Sequence, residues 1–445
     1  MKENVKKSVQ ENERCAEKLL RFIQDCPSCY HVIAKVAENY RDHGFTELDE
    51  KKTWKLAWGK SYYVIRNDSA LIAFRLPDAK DKVKGWHVAA AHCDSPTFKV
   101  KENPERGADA YVTLNVEKYG GMIHSTWLDR PLSVAGRIAI ENEKTGEIKT
   151  KLVNVDRDLL VIPNLAIHMN RDVNKGMEYK PQTDLQPLFT LKTADGKKSD
   201  GNGASAFMEI VAKAAGVKPD QILGNDLFLY VREEGRILGA DGEFILSPKL
   251  DDLQCVYALT ESHAETQPAA YATVCAIFDN EEVGSGSNQG ADSTFLEDVF
   301  LRVGESLGMS AAKQKEWIAA GYLISADNAH AVHPNHPEKA DPTNRPCLNG
   351  GPVLKFNCAQ KYVTDGVTAA KFRSLCKRAG VPCQTYVNHS DVPGGSTLGN
   401  ISTSHVSIPS VDVGLPQLAM HSAVETGGTK DTLMAIKVMK EYFSE

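Results

Sequence analysis

Four short apolar runs in this chain are each followed directly by histidine or carboxylate side chains. WHVAAA leads into His92 and Asp94, ATVCAIF into Asp279, Glu281 and Glu282, GYLI into Asp327 and His330, and LPQLAM into His421. Runs of this length and composition predict buried strands. In an open α/β sheet, groups that follow parallel strands meet at the carboxyl edge, where such folds bind ligands. The chain is therefore predicted to form an α/β sheet that collects these side chains at one edge.

Further apolar patterns flank these runs. Strands are predicted at 62–66, 70–75, 86–91, 271–278, 322–326 and 352–356, and amphipathic helices at 13–24, 364–379 and 430–443. Gly380 followed by Pro382 is a stop signal for the helix over 364–379. Strands that alternate with helices in this way are typical of the α/β class.

The chain changes character between residues 97 and 246. Segments such as AYVTLNVEKYG and PLSVAGRIAIENEKTGEIKTKLVNV alternate and are rich in turns, with almost no helical period. This pattern predicts a separate β-rich unit of roughly 150 residues, the size of one small domain. Residues 1–96 and 247–445 are then two parts of one α/β domain. A polar, glycine-rich loop at 192–203 is expected to be mobile and able to act as a lid or a subunit contact.

Composition excludes several functional classes. Apolar residues make up 42% of the 445 residues and charged residues 25%, which is near the average for folded globular proteins. A net charge of -6 argues against a nucleic-acid partner, which requires a clustered basic surface. No apolar run is long enough to span a membrane, and the N-terminal residues lack the apolar stretch of a signal peptide. We expect a cytoplasmic protein without a membrane partner.

Ten cysteines are dispersed along the chain, and the single CxxC pair is Cys26 with Cys29. A disulfide framework is typical of small secreted chains, whereas a large chain in a reducing compartment keeps its thiols free. Most of the cysteines are expected to be buried thiols.

The polar clusters, together with Asp251-Asp252, contain the ligand types of a two-metal hydrolase. Two zinc ions about 3.5 to 4 Å apart require a carboxylate between them and further imidazole and carboxylate ligands. Thiolates would instead indicate a closed structural site. The residues alone do not decide between Asp251 and Asp252 as the shared ligand, or between Glu281 and Glu282 as ligand and base.

Two local spacings carry further information. Successive side chains of an extended backbone point to opposite sides, so one of Glu281 and Glu282 can bind metal while the other faces the reacting water. Asp94 lies two residues beyond His92 and returns to the same side. It is expected to hold the imidazole of His92 in its ligating tautomer.

Six motifs together resemble the aspartyl aminopeptidase and vacuolar aminopeptidase I family of zinc metallopeptidases. They are AHCDSP (91–96), SPKLDDL (247–253), FDNEEVGS (278–285), SADNAHAVHPN (325–335), GGPVLKFN (350–357) and LAMHSAVE (418–425). Two further segments, STWLDRPLSVAGR (125–137) and IPNLAIHMNR (162–171), resemble the dimerisation domain of that family. The resemblance implies a zinc-peptidase-like mixed sheet sandwiched by helices, with an inserted β-rich dimerisation domain.

The resemblance also implies a role for each site residue. Asp251 would bridge two zinc ions per subunit, with His92 and Asp327 on one ion and Glu282 and His421 on the other. Glu281 would be the general base that takes a proton from water and returns it to the leaving amine. The expected reaction is the release of N-terminal amino acids from peptides with a free N-terminus. Cobalt or manganese could replace zinc.

Three more residues are expected in substrate binding. By resemblance, His330 and Lys355 would line the pocket for the first substrate side chain and favour Asp or Glu through charge-assisted hydrogen bonds. His168 resembles the histidine that reaches from the insertion into the active site of a neighbouring subunit. The same resemblance implies a homo-dodecamer built from dimers.

Alternative functions remain open at this point. The enzyme could be an aminopeptidase for neutral residues, or a related carboxypeptidase or deacylase that uses the same ligands. A noncatalytic assembly protein would have no need of the free base Glu281. The chain departs from the family at Cys93, where threonine is more usual, and at Cys26 and Cys29, so the sensitivity of these thiols to oxidation is open.

Overall fold

The computed structural model describes residues 2–78, 83–142, 144–192, 205–392, 394–395 and 397–445. The loop predicted at 192–203 lies almost wholly outside these ranges. In chain order the described helices are α1 (Lys2–Asp25), α2 (Cys29–Asp42), α3 (Pro181–Asp184), α4 (Ala206–Ala215), α5 (Leu250–Glu265), α6 (Phe295–Ser306), α7 (Ala311–Ala319), α8 (Gly366–Ala379), α9 (Leu398–His405) and α10 (Asp431–Ser444).

The described strands, in chain order, form three sheets. They are β1 (Thr46–Leu48), β2 (Ser61–Arg66), β3 (Ala70–Arg75), β4 (Trp86–His92), β5 (Thr97–Ala108), β6 (Tyr111–Tyr119), β7 (Leu132–Glu141), β8 (Ile148–Asn154), β9 (Leu188–Leu191), β10 (Ile222–Val231), β11 (Arg236–Leu238), β12 (Phe244–Ser247), β13 (Ala272–Phe278), β14 (Tyr322–Ala326), β15 (Ala329–His330), β16 (Val353–Phe356), β17 (Gln384–Val387), β18 (Ser410–Gly414), β19 (Pro416–Leu418) and β20 (Glu425–Gly428).

A nine-stranded mixed sheet has the order β1-β2-β3-β13-β4-β14-β18-β16-β17. Its middle strands β13, β4, β14 and β18 are parallel, whereas β3 and β16 run antiparallel to their neighbours β13 and β18. Every residue of the four middle strands is buried. Their continuous apolar runs are suited to this position because both faces of the sheet are covered.

Helices cover the two faces of this sheet. Ala89 and Ala91 of β4 belong to an apolar core that also contains residues of α1, α2, α5, α8 and α10. Val88 and Ala90 belong to a second core, formed with α6, α7 and α9. Because successive strand residues point to opposite faces, the two cores lie on opposite sides of the sheet. The predicted mixed sheet sandwiched by helices is confirmed.

The helix predicted over 364–379 shows how local sequence sets its ends. The Asp365 side chain accepts hydrogen bonds from the backbone N–H groups of Val367 and Thr368 and so caps the start of α8. Gly380 follows the last turn with φ of 66°, a left-handed conformation that glycine adopts at low cost. The helix therefore begins and ends within two residues of the prediction.

The predicted β-rich stretch contains a six-stranded antiparallel sheet with the order β8-β7-β10-β5-β6-β9. Its apolar face packs with α4 around a third core, which includes Phe98, Val134, Phe207 and Leu229. The strands of this sheet run from Thr97 to Val231. The division of the chain at residues 96 and 246 stays a prediction.

A small sheet with the order β11-β12-β20-β19-β15 joins distant parts of the chain. Strands β19 and β20 are antiparallel, and the turn between them carries His421. Strand β15, which ends at His330, lies beside β19. Among the described residues, no helix has the length and apolar character needed to cross a membrane.

Candidate functional site

Three neighbouring parallel strands bring the predicted clusters together. Strand β4 lies between β13 and β14, and Phe278 at the end of β13 is in register with His92 at the end of β4. Asp327 follows β14 directly, and the Glu281–Val283 turn follows β13. The start of α5, after β12, adds Asp251. Side chains from four separate segments therefore meet at the carboxyl edge of the sheet.

Imidazole and carboxylate atoms at this edge form three groups in which all ligand atoms lie within 4.8 Å of one another. The groups are His92 with Asp251 and Asp327, His92 with Glu281 and Glu282, and Asp251 with Glu282 and His421. His92 Nε2 lies 3.6 Å from one oxygen of Asp251, and His421 Nε2 lies 3.4 Å from the other. His421 Nε2 is also 3.3 Å from Glu282 Oε2. Asp251 thus stands between two sets of ligand atoms.

The neighbouring Asp252 has different contacts. Its side chain is fully buried, one oxygen accepts a hydrogen bond from the His92 backbone N–H at 3.3 Å, and it belongs to none of the three groups among the described residues. Of the two adjacent acids, Asp251 is therefore the one placed to share two cations.

The donor set and its burial fit metal ions. One oxygen of Asp251 and one of Glu282 are buried with no hydrogen-bond partner in the described residues. An unpaired buried carboxylate oxygen is costly, and a bound cation would compensate both groups. Neutral imidazole with carboxylate is the ligand set of open zinc sites, in which a position is left for water or substrate.

The charges of the metal-free centre are strongly coupled. Burial favours the neutral form of His421, but Asp251 and Glu282 outweigh it and raise the pKa of this imidazole to about 10. Burial raises the pKa of Glu281 to about 8. At neutral pH a proton therefore occupies the position on His421 that a metal would take, and metal binding must release it.

Asp94 occupies the position expected of the residue that orients His92. Its Oδ1 lies 3.3 Å from His92 Nδ1, and its backbone carbonyl lies 3.1 Å from the same nitrogen. These contacts leave Nε2 of His92 facing Asp251. The carboxylate of Asp94 also accepts the backbone N–H groups of Glu281 and Glu282, both at 3.1 Å. One buried side chain thus positions a ligand candidate and the adjacent glutamate pair.

Lys355 and His330 lie on another side of the centre. Lys355 is 3% exposed, lies 3.5 Å from an oxygen of Asp327 and donates to the carbonyl of Asn328 at 3.1 Å. His330 is exposed, and its ring lies 5.8 Å from that of Tyr386. The ion pair of Lys355 with Asp327 was not expected from the sequence.

His168 is not joined to the centre by any contact that the described part of the chain provides. It is exposed in a turn of the insertion. Its neighbours Leu165, Ile167 and Met169 are exposed by 53%, 53% and 76%. An apolar segment around His168 is therefore open to solvent in the single chain.

The cysteines singled out by the sequence lie beside the centre rather than in it. Cys93 Sγ donates to the carbonyl of Ser69 at 3.1 Å and joins none of the described ligand groups. Burial raises the pKa of Cys26 to about 12 and also raises the pKa of Cys29 and Cys93. The three thiols line a cavity of about 280 Å³ that reaches Asp251. All ten cysteines are described, and all are free.

Sequence reasoning missed two groups that support the ligands, buried Glu425 and half-buried Tyr119. The carboxylate of Glu425 accepts the backbone N–H groups of Asp251 at 3.0 Å and His421 at 2.7 Å. Tyr119 of β6 donates to Asp94 at 2.7 Å. Glu425 closes the motif LAMHSAVE, which was a usable signal. Nothing in the local sequence marks Tyr119, which lies in the insertion and outside the six motifs.

Comparison with known proteins places this geometry in context. A family model described as Aminopeptidase I zinc metalloprotease (M18) matches residues 22–443. A "Probable M18 family aminopeptidase 2" of Clostridium novyi is 43% identical over 430 residues, which cover 96% of this chain and 98% of the relative.

Solved structures agree with the match. Ape4 in its complex with Nbr1 superposes with a TM-score of 0.94 at 34% identity, over 98% of this chain and 86% of that one. The mApe1 dodecamer of S. cerevisiae superposes with a TM-score of 0.83 at 29% identity, over 97% of this chain and 96% of that one. The likeness extends over both the nine-stranded sheet and the insertion.

Proposed function

Because the chain belongs to the M18 family of aminopeptidase I zinc metalloproteases, and is thus a zinc-dependent hydrolase of peptide bonds, we propose that it removes acidic N-terminal residues through a two-zinc centre. The observation that carries the two-zinc proposal is the position of Asp251. One of its carboxylate oxygens faces His92 and the other faces His421, and these two histidines belong to different ligand groups. The oxygen that faces His92 has no hydrogen-bond partner among the described residues. A carboxylate shared in this way is typical of two-metal hydrolases.

The proposed ligand assignment agrees with two of the three groups. Asp251 would be shared by both metal ions, His92 and Asp327 would complete one site, and Glu282 and His421 would complete the other. When bound, zinc acts as a Lewis acid on the scissile carbonyl and makes water a nucleophile at neutral pH. Cobalt and manganese accept the same ligand types, so the identity of the native metal is part of the test.

Glu281 is proposed as the general base. Its carboxylate lies with His92 and Glu282 in one of the three groups, while its backbone N–H is held by Asp94. A base in this position accepts the proton of the attacking water on a carboxylate oxygen and delivers it to the leaving amine nitrogen. Asp94 acts on the reaction through His92, whose imidazole it orients.

The acidic preference is proposed from the surroundings of Lys355. Its ammonium group has three N–H donors, and two of them face Asn328 and Asp327. No third hydrogen-bond acceptor contacts the ammonium among the described residues, although it lies 5.3 Å from the centre of the Tyr362 ring. We propose that a substrate carboxylate accepts the third hydrogen. Tyr362 and Tyr386 lie between Lys355 and the exposed His330. Lys355 and His330 are proposed as two cationic or donor groups on one wall of the substrate pocket.

A panel of aminoacyl chromogenic substrates tests this function, with metal content measured on the same sample. We expect two zinc ions per chain, faster turnover of aspartyl and glutamyl substrates than of leucyl substrates, and no cleavage of N-blocked peptides. Faster cleavage of blocked peptides would disprove the aminopeptidase direction, and a leucyl preference would disprove the acidic pocket.

The pocket assignment has its own variant. Lys355→Met should lower kcat/KM on aspartyl substrates by about 10- to 100-fold, the effect of losing a charge-assisted hydrogen bond, and change leucyl substrates by less than about threefold. Lys361→Met, which removes an exposed lysine six positions further along the chain, is the control. An equal fall in kcat/KM on both substrates, together with loss of zinc, would show that Lys355 supports Asp327 and does not bind the substrate side chain.

We also propose that the chain forms a homo-dodecamer built from dimers, in the cytoplasm. Support comes from the mApe1 dodecamer, from the exposed apolar residues around His168 and, for the compartment, from the ten free cysteines. In this assembly His168 would serve the active site of a neighbouring subunit. Light scattering should give a mass of about twelve chains. His168→Ala should leave that mass unchanged and lower activity.

A further inference from the structure

One short segment of the insertion, Tyr119–Gly121 at the end of β6, lies against three different residues of the candidate centre of its own chain. Each of its residues makes a different kind of contact. Tyr119 contributes its hydroxyl, Gly120 allows close approach because it has no side chain, and Gly121 contributes its backbone carbonyl.

The hydroxyl of Tyr119 holds the carboxylate of Asp94. Tyr119 Oη donates to Asp94 Oδ2 at 2.7 Å and accepts a hydrogen bond from Asn280 Nδ2 at 2.8 Å. Because a phenol has one hydrogen to donate, the Asn280 contact leaves that hydrogen directed at Asp94. The ring is fixed by edge-to-face packing on Phe228, with centroids 5.5 Å apart. Tyr119 therefore fixes the carboxylate that in turn holds His92 Nδ1 and the N–H groups of the two glutamates.

Gly120 allows the insertion to approach Glu282 closely. Its φ is +79°, and a Cβ built on it would lie 3.1 Å from Glu282 Cβ and 3.4 Å from the Glu282 carbonyl oxygen. Any larger residue would have to push Glu282 away by a few tenths of an ångström. The position of this ligand candidate thus depends on a glycine in the insertion.

Gly121 sets the tautomer of His421. The imidazole donates from Nδ1 to the Gly121 carbonyl oxygen at 2.8 Å, so Nε2 is the nitrogen left to face Asp251 and Glu282. The backbone of the His421 turn is held by the same part of the insertion. The N–H of Ile123 donates to the His421 carbonyl at 3.0 Å, and Thr126 Oγ1 accepts a hydrogen bond from the Ala423 N–H at 2.9 Å.

We propose that Tyr119, Gly120 and Gly121 are positioning residues of the zinc centre in their own chain. The insertion then supports the active site of its own subunit, separately from the contribution proposed for His168 to a neighbouring one. Imidazole ligands are oriented by the acceptor on their second nitrogen, and that acceptor comes from Asp94 for His92 but from the insertion for His421. This inference rests on the ligand and base assignments of the proposed function.

The first test removes only the hydroxyl of Tyr119. Tyr119→Phe should lower kcat by about tenfold or more and change KM by less than about twofold, because the lost hydrogen bond has a charged acceptor. Hydrogen exchange at the Glu281 and Glu282 amides should be at least about fivefold faster in the zinc-free chain, since these amides depend on Asp94. Tyr111→Phe, on the same strand with its ring 48% exposed, is the control and should change neither quantity.

The second test uses two glycines with the same backbone conformation. Gly44 has φ of +80° and no atom within 4 Å of a built Cβ, so Gly44→Ala reports the backbone strain alone. Gly120→Ala adds the contact with Glu282. The two variants should lose similar thermal stability from that strain, while zinc affinity falls by about tenfold or more in Gly120→Ala only.

The outcomes separate this inference from the proposed function. A wild-type chain that binds no zinc and cleaves no aminoacyl substrate overturns the proposed function. The amide exchange of the zinc-free chain still tests Tyr119 in that case. If wild type binds zinc and is active, while Tyr119→Phe and Gly120→Ala behave like Tyr111→Phe and Gly44→Ala, the positioning role is wrong.

Discussion

Replacing Glu281 with glutamine is the sharpest test of the proposed chemistry. The substitution keeps the shape of the side chain. It also keeps the hydrogen bond that the backbone N–H of residue 281 donates to Asp94 at 3.1 Å, so the turn after β13 should be preserved. It removes only the ability to take up a proton. General-base catalysis contributes about 10²- to 10⁴-fold, so we expect kcat to fall by that factor, equivalent to about 3 to 5 kcal/mol of transition-state stabilisation.

The same substitution should stabilise the zinc-free chain. Burial raises the pKa of Glu281 from 4.5 to about 8. A carboxyl group whose pKa is raised by folding opposes folding increasingly as pH rises from the unfolded value to the folded one. The difference between the two pKa values lowers the free energy of unfolding by at most about 5 kcal/mol above pH 8, and this effect vanishes below pH 4.5. Glu281→Gln should therefore raise the melting temperature of the zinc-free protein at pH 8, but not at pH 4.5.

The assays are steady-state kinetics on an aspartyl substrate, zinc content by elemental analysis, and thermal melting with and without chelator. KM and zinc content should stay near wild type. Glu282→Gln is the matched control, since it alters the adjacent ligand candidate and should lose zinc together with activity. Turnover of Glu281→Gln within about threefold of wild type would remove Glu281 from the mechanism.

Three further outcomes are expected. Zinc affinity should rise steeply from pH 6 to 9, because Asp251 and Glu282 raise the pKa of His421 to about 10 in the metal-free centre. Calorimetry should detect the protons that zinc binding releases, and an affinity that is independent of pH would contradict this. Chelation should lower the melting temperature at neutral pH by several degrees, since Asp251 and Glu282 lose the cations that compensate them; equal melting temperatures would refute the fit of the site to metal. Asp365→Ala should cost about 1 kcal/mol of folding stability by removing the cap of α8, measured by denaturant unfolding, and no loss would show that the cap is replaced by water.

Much of the fold could be predicted because the signals are local. The runs 86–91 and 322–326 coincide with β4 and β14 to within one residue, since continuous apolar residues suit strands that are buried on both faces. Helix α8 has its start and stop signals within a few residues of its ends. The small sheet of β11, β12, β20, β19 and β15 was not predicted, because its strands are short and pair across long distances in the chain.

The chemical class of the site was also contained in the sequence. The groups that follow β4, β13 and β14 meet at one edge of the nine-stranded sheet, whereas His421 comes from a turn of the small sheet, which was not predicted. The residue types favour an open imidazole and carboxylate site over a closed thiolate site. Resemblance added the bridging role of Asp251, the base role of Glu281 and the substrate roles of His330, Lys355 and His168, which stay predictions. Two observations are consistent with these roles: Asp251 belongs to two of the ligand groups, and Glu281 lies in one group with His92.

Only the tertiary structure decided how these groups are held. The sequence by itself determined which residues can bind metal and which strands carry them, because residue type and periodicity are properties of short segments. It could not indicate that Lys355 pairs with Asp327, that Glu425 holds the backbone of Asp251, or that Gly121 orients His421. Those contacts join residues up to about three hundred positions apart, and such partners become neighbours only when the sheets pack against one another.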